Sequence, residues 1–115
     1  MMKFDVLLVG EDFKAHISLL ERITECRYTV ASTAEEAVEK MQGILFDIVV
    51  IDPDINNSDR ALIRKMLEIQ QPEALLLEVD TIEPEALGSL LSNHIKSLKS
   101  QLKATYVVKD DVFSF

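Results

Sequence analysis

Charged residues follow three strand-like segments of the sequence, at the point where each segment ends. Glu11 and Asp12 follow the first segment, Asp52 and Asp54 follow another, and Lys109 follows the last. Carboxylates that lie close together repel one another unless a cation is present. Mg²⁺ prefers oxygen ligands of this kind and keeps several of its waters. Together these residues indicate a candidate magnesium site, provided that the fold brings them together.

The lysine extends this chemistry. An ammonium group adds a second positive charge and binds phosphoryl oxygens as a point charge. With a cation and Lys109 in place, Asp52 would be able to act as a nucleophile toward a phosphoryl group.

The elements that must position these residues alternate regularly. Short aliphatic runs typical of buried strands alternate with stretches in which apolar residues recur at helical spacing. Strands are predicted at residues 4–10, 27–32, 46–52, 73–79 and about 105–109. Helices are predicted at 12–25, from a Thr33–Glu36 capping box to Gly43, from an Asn57 or Ser58 cap to a point before Pro72, and at about 81–103. This order predicts an α/β fold with a parallel sheet between layers of helices.

In open sheets of this type, sites form outside the carboxyl ends of the strands. If the first and third strands are neighbours, Glu11, Asp12 and Asp52 converge at one edge. Lys109, at the end of the fifth strand, would reach across to them.

Composition excludes several classes of function. The chain has 115 residues, 48% of them hydrophobic, and a net charge of −8, which fits one globular domain over 1–115. An acidic surface argues against nucleic acid or an anionic membrane as partner. The single cysteine, Cys26, excludes an intrachain disulfide. No signal-peptide pattern or membrane-length apolar run occurs, so we expect a cytoplasmic protein.

In three segments the sequence resembles the receiver domain of two-component response regulators. "LLVGED" is similar to the acidic pair of that family, "FDIVVIDPDIN" to the phosphoacceptor segment and "TYVVKD" to the lysine segment. The resemblance implies a flavodoxin-like sheet in the order 2-1-3-4-5 and a histidine kinase or other signalling protein as partner. It implies that Asp52 is the phosphoacceptor and that Lys109 assists it. Mg²⁺ would be held by Glu11, Asp12, Asp52 and the backbone carbonyl of Asp54.

The sequence departs from the family pattern at several positions. Pro53, after the acceptor, has no N–H to donate to a phosphoryl group. Glu78 or Val79 falls where the family has a serine or threonine after strand four, and Thr81 is a later candidate. These departures favour an alternative, a degenerate receiver that binds partners or dimerises without phosphorylation.

The chain also lacks the family's last helix after strand five. That helix normally covers one face of the sheet, and a large exposed apolar face usually marks an interface. We therefore expect a homodimer that covers this face. The apolar stripe of the long helix, from Leu87 to Leu102, would lie on its own sheet or pair with a second copy.

An enzymatic function is a third possibility. "IDPD" resembles the D-x-D motif of haloacid-dehalogenase-type phosphatases, but that motif follows the first strand and is followed by a threonine where this chain has Asn56. A short motif outside its structural context is weak, so we do not expect an enzyme.

Overall fold

A computed structural model describes residues 3–23 and 25–113 of the chain, with side chains up to Ser100. Its strands are β1 (Phe4–Val9), β2 (Cys26–Ala31), β3 (Ile48–Ile51) and β4 (Leu75–Glu78). A short 3₁₀ helix (Glu11–Ala15) precedes α1 (Ile17–Leu20), followed by α2 (Ala34–Gly43), α3 (Asn57–Gln70) and α4 (Pro84–Phe113). The four strands form one parallel sheet in the order β2-β1-β3-β4. The predicted flavodoxin-like α/β fold is therefore confirmed in its first four strands.

The two central strands form the middle of the core. All four residues of β3 are buried, as are five of the six residues of β1, because helices cover both faces of the sheet. In the register of this pair, Val9 lies beside Ile51. Since both strands end at that level, the residues that follow them meet at the carboxyl edge of the sheet.

Each face of the sheet has its own apolar cluster. Alternate residues of the strands point to opposite faces. One face packs under α1 and α4, and the other packs under α2 and α3. On the first face, Leu87, Leu91 and Ile95 of α4 are almost completely buried. Their spacing of four residues keeps them on one side of the helix, and this stripe fixes α4 to the sheet.

The predicted fifth strand is wrong, because the structure places the "TYVVK" segment within α4, which continues to Phe113. The prediction of an uncovered sheet face is wrong for a related reason. The helix after β4 passes to the side of α1 and covers the face that the absent last helix was expected to leave open. β4 is consequently an edge strand in the described part of the chain.

The starts of the helices follow local capping. Thr33 caps α2 as predicted, and its hydroxyl accepts the N–H of Glu36 at 3.1 Å. Asn56, rather than the predicted Asn57 or Ser58, caps α3 by accepting the N–H of Asp59 at 2.8 Å. The first helix was predicted over 12–25 but is mostly a 3₁₀ helix followed by a single α-helical turn. In the residues that the structure describes, no helix combines the length and apolar character needed to cross a membrane.

Candidate functional site

Asp52 lies at the carboxyl end of β3 and is only 2% exposed. Its N–H donates to the carbonyl of Val9 at 3.0 Å, which continues the pairing of β3 with β1 by one residue. The chain then turns, and the N–H of Ile55 donates to the Asp52 carbonyl at 3.1 Å. Pro53 takes the second position of this turn, where proline is favoured because its φ is already set. The turn therefore accounts for the proline between the two acids without reference to any ligand.

The side chain of Asp52 is held by the same turn. The N–H of Asp54 donates to Asp52 Oδ1 at 2.8 Å. Hydrogen bonds to a carboxylate are stronger than those between neutral groups, so this contact fixes the rotamer of a buried acid. The second oxygen, Oδ2, lies next to Gly10.

Three carboxylates converge at this edge. Asp12, Asp52 and Asp54 each place an oxygen within 4.8 Å of the other two. Asp12 comes from the 3₁₀ helix after β1, and both it and Asp54 are exposed. One buried and two exposed oxygen donors suit a hard cation that keeps part of its water shell, so the residues fit Mg²⁺.

The predicted ligand set differs from this group in two respects. Glu11 is exposed and is not among the three carboxylates that converge. Asp54, which was predicted to contribute only its backbone carbonyl, brings its side chain into the group.

Gly10 is a residue whose role the sequence analysis missed. Its φ is +144°, a conformation that side chains rarely permit. A Cβ atom at this position would lie 2.4 Å from the Cβ of Asp52 and 2.7 Å from Oδ2. Only glycine therefore allows the chain after β1 to pass this close to Asp52. The signal in the sequence was a glycine between an aliphatic strand and an acidic pair.

Arg60, in the first turns of α3, holds the loop that carries the acids. Its Nε donates to the carbonyl of Ile55 at 2.8 Å, and its Nη2 donates to the carbonyls of Pro53 at 2.8 Å and Asp52 at 3.4 Å. The guanidinium presents several donors in a rigid plane, which lets one side chain bind three carbonyls. No sequence pattern marked this arginine, because its partners are backbone atoms set by the turn.

Glu78 ends β4, at the position where a serine or threonine was expected. It accepts two hydrogen bonds from Arg64, at 2.6 and 3.2 Å, and lies 3.5 Å from Arg60 Nη1. The hydrogen bond from Arg64 lowers the pKa of Glu78 below its usual value. The other two candidates have contacts of their own. Val79 is a buried core residue, and the exposed Thr81 hydroxyl accepts the N–H of Glu83 at 3.2 Å.

Lys109 lies in the last part of α4, where the structure does not describe side chains. The helix begins near the carboxyl end of β4, and ten residues before Lys109 the ammonium of Lys99 forms an ion pair with Glu25, just ahead of β2. At 1.5 Å per residue, ten residues carry the helix about 15 Å further. The backbone thus leads Lys109 away from the carboxyl edge, in contrast to the predicted position on a fifth strand.

Comparison with known proteins bears on the fold. Neither a protein-family model nor a curated protein matches the sequence. Among solved structures, the receiver domain of the Francisella response regulator 1452 superposes with a TM-score of 0.51 and 23% sequence identity, over 75% of each chain. The chain has a receiver-like fold. In this receiver-like fold, the three carboxylates lie at the carboxyl edge, at the ends of β1 and β3.

Proposed function

We propose that this receiver-like domain acts in signal transduction by accepting a phosphoryl group on Asp52, from a histidine kinase and with Mg²⁺ bound. The observation that carries the proposal is the convergence of Asp12, Asp52 and Asp54, in which the central acid is buried and held in one rotamer. An aspartate is rarely buried this completely unless it is paired, so a buried aspartate beside two further acids favours a site that holds a cation.

Each residue of the acidic group has a role in the proposed reaction. Asp12, Asp52 and Asp54 would hold Mg²⁺, which when bound offsets the negative charge of the carboxylates and of the phosphoryl oxygens. Oδ1 of Asp52 accepts the N–H of Asp54, so we assign Oδ2 as the nucleophile. Oδ2 forms a bond to phosphorus while the phosphorus–nitrogen bond of the donor's phosphohistidine breaks. The electron pair of that bond stays on the imidazole nitrogen, and the imidazole leaves neutral because its ring takes up a proton from solvent. The product is an acyl phosphate on Asp52.

Binding and phosphorylation are tested separately. Titration of the whole chain with Mg²⁺ should show one site, and Asp12→Asn should weaken it by at least about tenfold because a charged ligand is lost. The matched control is Asp80→Asn, an exposed acid outside the cluster, which should bind as the wild type does.

Phosphorylation is tested by incubation with Mg²⁺ and a small phosphoramidate or acyl phosphate. The wild-type chain should gain the mass of one phosphate, and Asp52→Asn should gain none. If the wild type binds Mg²⁺ but gains no phosphate, the acceptor role is wrong and the cation site stands. If it does neither, the second candidate below replaces the first.

The second candidate is a degenerate receiver that binds another signalling protein without phosphorylation. Two observations favour it: Glu78 is engaged by two arginines at the expected switch position, and α4 leads Lys109 away from the acids. A phosphoryl group on Asp52 would then lack two partners: a hydroxyl at the position of Glu78, which would hydrogen-bond to it, and Lys109, which would form an ion pair with it. Under this candidate, a partner protein would bind wild type and Asp52→Asn with equal affinity.

We propose a cytoplasmic protein without turnover of its own on phosphoesters, and without nucleic acid or membrane as partner. A homodimer would have to use a different interface, because α4 covers the sheet face that was expected to form it.

A further inference from the structure

The outer edge of β4 is open in the described part of the chain. β4 pairs with β3 on one side, and the sheet order ends with it. Unpaired strand edges present a row of donors and acceptors that can template another strand, and proteins usually protect them with charges, prolines or bulges. Here the edge is formed by Leu75, Leu76 and Leu77, all only half-buried.

The main-chain groups that face outward can be assigned from those that face inward. The N–H of Leu75 donates to Asp47 and the N–H of Val79 donates to Ile51, both toward β3. Because alternate residues of a strand turn their polar groups to opposite sides, the N–H and C=O groups of Leu76 and Glu78 face outward. Burying these groups requires a partner strand, which supplies hydrogen bonds in return.

A groove lies on each side of this edge. On the α4 side, a cavity of about 430 Å³ is bounded by Leu77, Leu87 and Leu90. On the α3 side, a cavity of about 230 Å³ is bounded by Leu67, Ala74 and Leu76. An added strand would place apolar side chains alternately in the two grooves, so its sequence should be apolar on both faces.

We propose that the occupant is β4 of a second copy of this chain, paired antiparallel about a two-fold axis that passes beside Leu76. Leu76 then lies opposite its own counterpart, and the two exchange both of their hydrogen bonds. The outward N–H of Glu78 donates to the carbonyl of Ala74 in the partner. The result is a continuous sheet of eight strands.

This register is self-complementary in its side chains as well. On the α3 side Leu76 meets Leu76, and on the α4 side Leu75 meets Leu77. Glu78, held back by Arg64, faces Ala74 rather than another acid. Symmetric dimers of this kind are the commonest protein assemblies, because one self-complementary patch is enough. A chance peptide would have to match both grooves, whereas β4 already carries leucines on both of its faces.

The test begins with the mass of the whole chain in solution. We expect a dimer of 13.0 kDa chains at micromolar concentration by light scattering, with Leu76→Lys raising the dissociation constant by at least about tenfold. The control is Leu45→Lys, which alters a leucine that is 79% exposed and outside the β4 edge. Circular dichroism establishes that both variants fold.

A second variant tests the register. Cα atoms of a hydrogen-bonded antiparallel pair lie about 5.5 Å apart, within the range of a disulfide. Leu76→Cys should therefore crosslink two chains under mild oxidation, whereas Leu45→Cys should not; native Cys26 is buried. A monomeric wild type at all concentrations up to about millimolar would overturn the proposal. A dimer that Leu76→Lys leaves intact, or that Leu76→Cys does not crosslink, would place the interface elsewhere and overturn it too.

Discussion

Replacement of Gly10 by alanine tests how tightly Asp52 is packed. The new Cβ would lie 2.4 Å from Asp52 Cβ and 2.7 Å from its Oδ2, distances that real Cβ contacts essentially never show. Either the segment after β1 or the side chain of Asp52 must move. The backbone of Gly10, at φ +144°, would also have to change or remain strained.

The magnitude follows from these two terms. A side chain in a conformation reserved for glycine costs about 1–3 kcal/mol, and forcing extra volume into a packed site costs about 1–3 kcal/mol more. We therefore expect Gly10→Ala to lower the free energy of unfolding by about 2–6 kcal/mol, against about 5–15 kcal/mol for a typical domain. Chemical denaturation followed by circular dichroism measures it.

Gly43→Ala is the matched control. This glycine ends α2, and a Cβ there would meet nothing within 4 Å. Alanine should leave stability unchanged or raise it by up to about 1 kcal/mol, because glycine has more freedom in the unfolded chain. In the background of Asp52→Gly, where the contact is absent, Gly10→Ala should cost only the backbone term. Equal costs for Gly10→Ala in the wild type and in Asp52→Gly would refute the close contact, and a neutral Gly10→Ala would refute both terms.

Three further changes have distinct outcomes. Arg60→Ala should lower the free energy of unfolding by about 1–3 kcal/mol and speed hydrogen exchange at the amide of Asp54, because the loop carbonyls lose their donor; Arg27→Ala, which breaks an exposed ion pair, should leave that amide unchanged. Glu78 has a pKa below its usual value of 4.5, so its ion pair stabilises the fold above about pH 4.5 and is lost as the pH falls through the folded pKa. The stability difference between wild type and Glu78→Gln should thus shrink as the pH falls below 4.5, and a difference independent of pH would contradict this account. Burial raises the pKa of the Cys26 thiol, so iodoacetamide should label the native protein much more slowly than the unfolded one at about pH 8, and equal rates would show that the thiol is accessible.

The sheet was predictable from the sequence because its signals are local. Continuous aliphatic runs and the alternation with helical spacing determine a parallel order, and the first four strands form as that alternation predicts. The convergence of Asp12 and Asp52 follows from the adjacent ends of β1 and β3. Predictions of this kind need only the order of the elements and the rule that sites lie at carboxyl ends.

The end of the chain was not predictable in the same way. "TYVVK" is rich in β-branched and aromatic residues, yet the structure includes it in a helix whose first turns are fixed by buried leucines far upstream. β-propensity describes packing on a sheet more than an intrinsic backbone preference, so it does not by itself place a segment in a strand. The roles of Gly10 and Arg60 were also hidden. The role of Gly10 depends on how closely the chain after β1 approaches Asp52 at the end of β3. The role of Arg60 depends on backbone carbonyls that come together only in the folded turn.

Arg60 touches both of the places that the proposals concern. It binds the carbonyls of Asp52 and Pro53 in the acidic loop, and it lies against Glu78, the last residue of the open β4 edge. The proposed cation site and the proposed pairing of β4 with a second copy would therefore share one side chain, that of Arg60. Thermodynamic linkage then requires reciprocity: the factor by which Mg²⁺ changes the dimer's association constant equals the factor by which dimerisation changes the affinity for Mg²⁺.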